Sequence, residues 1–131
     1  MFESQGIIHY GPDIRLIAEI DQGIGDFYRS LIPKYYYAKS LRYKSHITIV
    51  RTGKETPTNL DLWGRHEGRQ ITFQYDSYIH FDGVMFWLDA YSQEIGEIRQ
   101  ELGLPEYRDD RAYGGVLRTA YHISIANVKN T

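Results

Sequence analysis

The sequence has no cysteine among its 131 residues, which excludes a disulfide framework and any thiolate-bound metal and suits a reducing compartment. It has no apolar run of membrane-spanning length, so no membrane partner is expected. Its first residues, Met1-Phe2-Glu3-Ser4-Gln5, carry neither the basic region nor the apolar run of a secretion signal, so a cytoplasmic protein is expected. Strong net charge is also missing. A formal charge of −2 gives no broad basic field for holding long nucleic acids. Locally, however, acidic residues are absent from 34 to 54, where Lys34, Lys39, Arg42, Lys44, Arg51 and Lys54 all fall. Such a segment forms a confined anion-attracting surface.

What is present begins with an ordinary composition, 42% hydrophobic and 24% charged, in a length that suits one domain, 1–131, with a real core. Aromatic residues make up 15%, and twelve of them are tyrosine, a side chain able to pack or to stack on bases. The most informative stretch is His46-Ile47-Thr48-Ile49-Val50, whose pattern returns as His122-Ile123-Ser124-Ile125-Ala126. Alternation of polar and apolar residues with β-branched enrichment predicts a strand with one buried face. His46 and Thr48 then share one face, as do His122 and Ser124, while the isoleucines face the core. Two imidazoles supply proton-transfer groups near neutral pH, and two hydroxyls can hold phosphate oxygens. That chemistry requires neither metal nor cofactor, and none is expected. His9, His66 and His80 share no metal-ligand spacing and read as packed or surface residues.

In chain order, Gly6 to Tyr10 is a short apolar lead, and Gly11-Pro12-Asp13 signals a turn. A strand is predicted over 14–20, and a helix over 22–31 capped by Asp21 and ended by Pro33. The first motif strand follows at 46–50. The polar loop 53–59 precedes an unassigned stretch, 60–68. Strands are predicted over 70–75 and 78–81, with a hairpin turn at Asp82-Gly83 and another strand over 84–90. Ser92 caps a helix to about Leu102 with Gly103 at its C-cap. The long connection 103–119, with Arg108, Asp109, Asp110 and Arg111, precedes the second motif strand, 122–126. Strand–helix–strand thus occurs twice, in pseudo-repeats of about 6–55 and 70–131. Ile24-Gly25-Asp26 echoes Ile95-Gly96-Glu97, and the motif histidines lie 76 positions apart. The expected architecture is α+β and bilobal, with antiparallel sheets around a central cleft between the motif strands.

These paired motifs resemble those of the 2H phosphoesterase superfamily. Arg15-Leu16-Ile17-Ala18 is similar to the opening strand of its LigT-like members, and His46 through Gly53 to their first motif with its trailing glycine. The resemblance spans nearly the whole chain. It implies a bilobal fold and metal-independent attack on 2′,3′-cyclic phosphates, 2′-5′ linkages or cyclic nucleotides. His46 and His122 would be the acid–base pair, and Thr48 and Ser124 the phosphate ligands. A narrower likeness is to phage anti-CBASS phosphodiesterases, which destroy cyclic oligonucleotide immune signals. It rests on His46 to Arg51, Trp63 ahead of Ile71-Thr72-Phe73, Leu102-Gly103-Leu104, and His122 to Asn127. It implies a cyclic di- or trinucleotide ligand, a location in host cytoplasm, and aromatic side chains that hold bases. Tyr10 and Trp63 are the candidates for that grip, and Arg51, from the basic segment, for the phosphates. RNA-end processing on 2′,3′-cyclic phosphates or 2′-5′ linkages, and a non-catalytic module that sequesters cyclic nucleotides, are the other readings. The sequence leaves oligomeric state, base preference and ring size open.

Overall fold

The computed structural model describes residues 1–107 and 120–128. Its elements are β1 (Phe2–Gly11), β2 (Arg15–Ile20), α1 (Gln22–Ser30), β3 (His46–Val50), β4 (Gln70–Tyr75), β5 (His80–Phe81), β6 (Met85–Tyr91), α2 (Gln93–Glu101) and β7 (Tyr121–Asn127), with short 3-10 turns at Lys34–Tyr36 and Leu60–Leu62. The fold is α+β. All seven strands join one sheet in the order β4-β1-β2-β3-β7-β6-β5, and β4 also pairs with β6. This second pairing closes six antiparallel strands into a barrel. Among the described residues, no helix is long and apolar enough to cross a membrane.

Alternation decides which face of the sheet is apolar. Leu16, Ala18 and Ile20 on β2, Ile47 on β3, Ile123 on β7 and Leu88 and Ala90 on β6 are all buried, and they join one cluster with Ile24 and Tyr28 of α1 and Ile95 and Ile98 of α2. Each helix begins at its expected cap. Asp21 Oδ1 accepts from the Gly23 amide at 2.8 Å, and Ser92 Oγ accepts from the Ile95 amide at 3.3 Å. Such caps satisfy amides that the first turn leaves without partners. The glycines of the Ile-Gly-acid echo have a shared reason. A Cβ on Gly25 would stand 2.2 Å from Ser45 Oγ, and one on Gly96 would stand 2.8 Å from Glu106 Cγ. Each helix is therefore pressed against a neighbouring segment at its glycine.

Several expectations shift. The apolar lead at 6–10 is the second half of a ten-residue strand that pairs with both β2 and β4. Its polar start, Glu3 to Gln5, hides it from a hydrophobicity reading, because the ladder with β4 supplies what apolar burial does not. Ile14 leaves the strand and enters the turn with Asp13, at φ of 56° and 58° respectively. The 78–81 strand shrinks to two residues. The stretch 60–68 becomes a 3-10 turn followed by further turns. Most of the 103–119 connection, including Arg108, Asp109, Asp110 and Arg111, lies outside the described residues.

Among the described residues, one charged group is built into the core. Arg99 of α2 is fully buried and donates to Glu55 through two nitrogens, at 3.0 and 2.6 Å, to the Ile49 carbonyl at 2.6 Å and to the Pro105 carbonyl at 2.8 Å. A buried guanidinium needs this full set of acceptors, and removing it strands a carboxylate in a low-dielectric setting. Arg99→Ala is expected to destabilise the protein by about 3–5 kcal/mol, measured by urea unfolding; a loss below about 1 kcal/mol would show the pair to be dispensable.

Candidate active site

The two motif strands are neighbours in the sheet, and they meet antiparallel at Ile47 opposite Ile123. Both isoleucines are fully buried, so the residues on either side of each point to the opposite face. His46, Thr48, His122 and Ser124 are all half-buried there. This register brings His46 level with Ser124 and Thr48 level with His122. The histidines stand on a diagonal, with a span of roughly 7–8 Å, enough for a phosphodiester group between them. The structure thus brings the four motif side chains together on one face.

Each motif strand also departs from regular pairing at the same place. The ladder of β2 and β3 skips Ile49, and that of β6 and β7 skips Ile125. An extra residue of this kind bends a strand and sharpens its twist. Both skipped residues stay buried, and the Ile49 carbonyl is the one that Arg99 holds.

The flanking strands carry further groups to this face. Glu19 of β2 pairs with His46, and Asp89 of β6 pairs with His122. Thr48 lies beside Ile17, and Ser124 beside Trp87. One strand further out, His9 of β1 lies opposite Ile17, and His80 of β5 opposite Trp87. A pseudo-twofold between β3 and β7 relates every one of these positions. Arg15, two residues before Ile17, shares the face by alternation, and its guanidinium stands 5.9 Å from the Tyr43 ring.

Local hydrogen bonds set the chemistry of His46. Its Nδ1 lies 2.8 Å from the Lys44 carbonyl. A carbonyl only accepts, so Nδ1 carries the hydrogen and Nε2 is left with the lone pair of a base. Among the described residues, no group is hydrogen-bonded to Nε2, nor to the hydroxyls of Thr48 and Ser124. Around His122 lies a ladder of rings, with Trp87 5.4 Å from His122, His80 stacked on Trp87 at 5.3 Å, and Tyr78 edge-on to His80 at 4.8 Å.

Tyr10 and Trp63 are not brought to this face. Tyr10 pairs with buried Leu16 and so takes the core side of β1. Trp63 meets it edge-on at 4.9 Å, and both pack against the core cluster. Burial pushes the Tyr10 hydroxyl above its ordinary value, and that hydroxyl accepts from the His66 amide at 3.2 Å. Both aromatics are thus occupied in packing the 60s segment onto β1. Arg51 is exposed just after β3. His66 is bound at 2.9 Å to Glu101, which also holds Arg65 at 2.7 Å.

Glu19 and Asp89 escaped the sequence reading, although a signal existed. Each is the lone carboxylate in an otherwise mostly apolar strand that precedes a capped helix. His9 and His80 gave no such signal, since only strand register reveals them as a related pair. The chain matches no protein-family model, no curated protein and no solved structure in comparisons with each.

The Lys44 contact is checked by the tautomer of His46. At a pH where His46 is neutral, the nitrogen spectrum of its ring is expected to show hydrogen on Nδ1. Hydrogen on Nε2 instead would mean that the carbonyl contact does not govern the ring.

Proposed function

We propose that this chain is a 2H-type phosphodiesterase with a bilobal cleft, which cleaves cyclic di- or trinucleotides without a metal ion. The observation that carries the reading is the register of Ile47 with Ile123, which puts two His-x-hydroxyl motifs side by side on one face. A second support is the pseudo-twofold about that pair. Exchange of the two histidines is the same operation as exchange of the attacking and leaving oxygens of a phosphodiester.

In the proposed reaction, His46 Nε2 takes the proton from a ribose 2′-hydroxyl, and the oxygen attacks the adjacent phosphorus. The bond from phosphorus to the 5′-oxygen breaks, and that oxygen takes a proton from His122. The products are a 2′,3′-cyclic phosphate and a free 5′-hydroxyl. Water then opens the ring with the two histidines in reversed roles. Thr48 and Ser124 donate to the non-bridging oxygens, where charge builds in the transition state. Proximity contributes by holding the hydroxyl in line. Arg15 on the same face and Arg51 at the end of β3 supply positive charge for phosphate. The modest overall charge of −2 suits a compact ligand with two or three phosphates better than a long strand.

Two-histidine chemistry gives a bell-shaped dependence of rate on pH. His46→Ala and His122→Ala are each expected to lower turnover by ~10²–10⁴-fold, and wild-type activity should persist with chelator. Activity lost to chelator and restored by a divalent ion would overturn this.

The substrate class is tested with 3′,3′-cyclic dinucleotides, their 2′-deoxy analogues and a single-stranded RNA. Cleavage of the ribose compounds and resistance of the deoxy analogues are expected. Rapid cleavage of a deoxy analogue would remove the internal nucleophile. Preference for RNA with a steep salt dependence would transfer the reading to RNA-end processing. Tight binding without turnover would identify a sequestering module.

A further inference from the structure

The pseudo-twofold gives both motif histidines a carboxylate neighbour, but the two halves are not built alike. On the His122 side, Asp89 is held by two groups. Trp87 Nε1 donates to its Oδ1 at 3.3 Å, and His80 Nε2 lies 3.0 Å from its Oδ2. The second is an ion-pair contact that draws the Asp89 carboxylate toward His80. The Asp89 side chain is 22% exposed and that of His80 34%, so both interactions lie in a partly dried setting. On the His46 side, Glu19 is 41% exposed and its contact with His9 is 3.8 Å. His9 is instead drawn to Glu67, at 2.7 Å from its Nδ1. The Glu67 carboxyl is held below its ordinary value, by the Tyr10 amide first and by His9 second. One half thus has a fixed carboxylate and the other a looser one.

We infer that His80 and Asp89 form a positioning dyad for His122, and that this dyad commits His122 to the proton-donor role in the first step. The inference rests on the phosphodiesterase reading for its meaning, but its geometry stands without it. A carboxylate directly across an antiparallel pair from an imidazole favours the protonated ring, and an acid must start protonated. A carboxylate anchored at both oxygens keeps its place when the imidazole gives up its proton. His80 and Trp87 provide those anchors. They act on His122 through Asp89, so they are positioning residues. Among the described residues, His46 stands diagonally across from His122, and the Tyr91 hydroxyl on β6 feels the charges of both Asp89 and Asp76. Arg29 of α1 lies on the opposite side of the sheet, 3.5 Å from the Ile125 carbonyl.

The experiment is a ring titration of His122 by NMR in the wild-type protein and in Asp89→Asn, His80→Gln and Glu19→Gln, with steady-state kinetics on a 3′,3′-cyclic dinucleotide beside it. Asp89→Asn removes the charge and keeps the shape. It is expected to lower the His122 midpoint by about one pH unit and kcat by roughly 10–100-fold, the scale on which losing the hydrogen-bonding support of a metal-bound histidine acts, with KM nearly unchanged. His80→Gln is expected to lower kcat less, because the Trp87 anchor remains. Asp89→Glu restores the charge and should recover part of both effects. Glu19→Gln should leave the His122 midpoint in place.

Unchanged far-ultraviolet dichroism in each variant separates these effects from unfolding. An unmoved His122 midpoint in folded Asp89→Asn overturns the dyad, even when the wild type is active. A midpoint that moves as expected in a protein that cleaves none of the substrates upholds the dyad and overturns the phosphodiesterase reading. The two failures are thus told apart.

Discussion

Everything at the candidate site depends on one antiparallel contact, the pairing of Ile47 with Ile123. The side-chain period of a strand is two, so a slip of one residue would turn one histidine and its hydroxyl into the core. Burial prevents that slip. Ile47 and Ile123 are fully enclosed, and the opposite register would bury an imidazole and a hydroxyl in their place, each without a partner. The hydrophobic core therefore does more than stabilise the protein. It selects the alignment in which four polar side chains share one face.

That selection is reinforced from the core side. The buried Arg99 grips the carbonyl of Ile49, the residue that the β2–β3 ladder skips. The skipped position gives up a place in the ladder, and the guanidinium satisfies its carbonyl. Glu55 balances the charge and ties in the segment that follows β3. The geometry at Thr48, one residue earlier, is thereby set by a helix on the far side of the sheet.

How much of this was legible depended on the range of the signal. The motif strands, both helix caps and the Asp82-Gly83 turn are local patterns, and residues within five or six positions suffice to read them. The repeat of strand, helix and strand was also readable, because Ile-Gly-acid and His-x-hydroxyl recur in the same order. The role of β1 was not readable, since its polar end is stabilised by pairing with β4, a strand some seventy positions away. Tyr10 and Trp63 show another limit. An aromatic near a turn reads the same whether it faces a ligand or a neighbour, and only the pairing of Tyr10 with Leu16 decides the side. His9 and His80 stayed hidden for a related reason, as their kinship exists only in the ladders that bring them opposite Ile17 and Trp87.

The closure of the sheet has a consequence for how the protein behaves in a crowded solution. A strand with open amides and carbonyls is a template for foreign strands. Here β4 spends one edge on β1 and the end of the other on β6. Between those pairings, Ser92 Oγ donates to the Thr72 carbonyl and the Thr72 amide donates to Glu94. The first turn of α2 thus stands in for a missing strand. Within the described residues, the sheet's open margin falls on β5, which is two residues long. A chain rich in tyrosine and β-branched residues would otherwise invite edge-to-edge accretion, and this architecture leaves a recruit almost nowhere to dock.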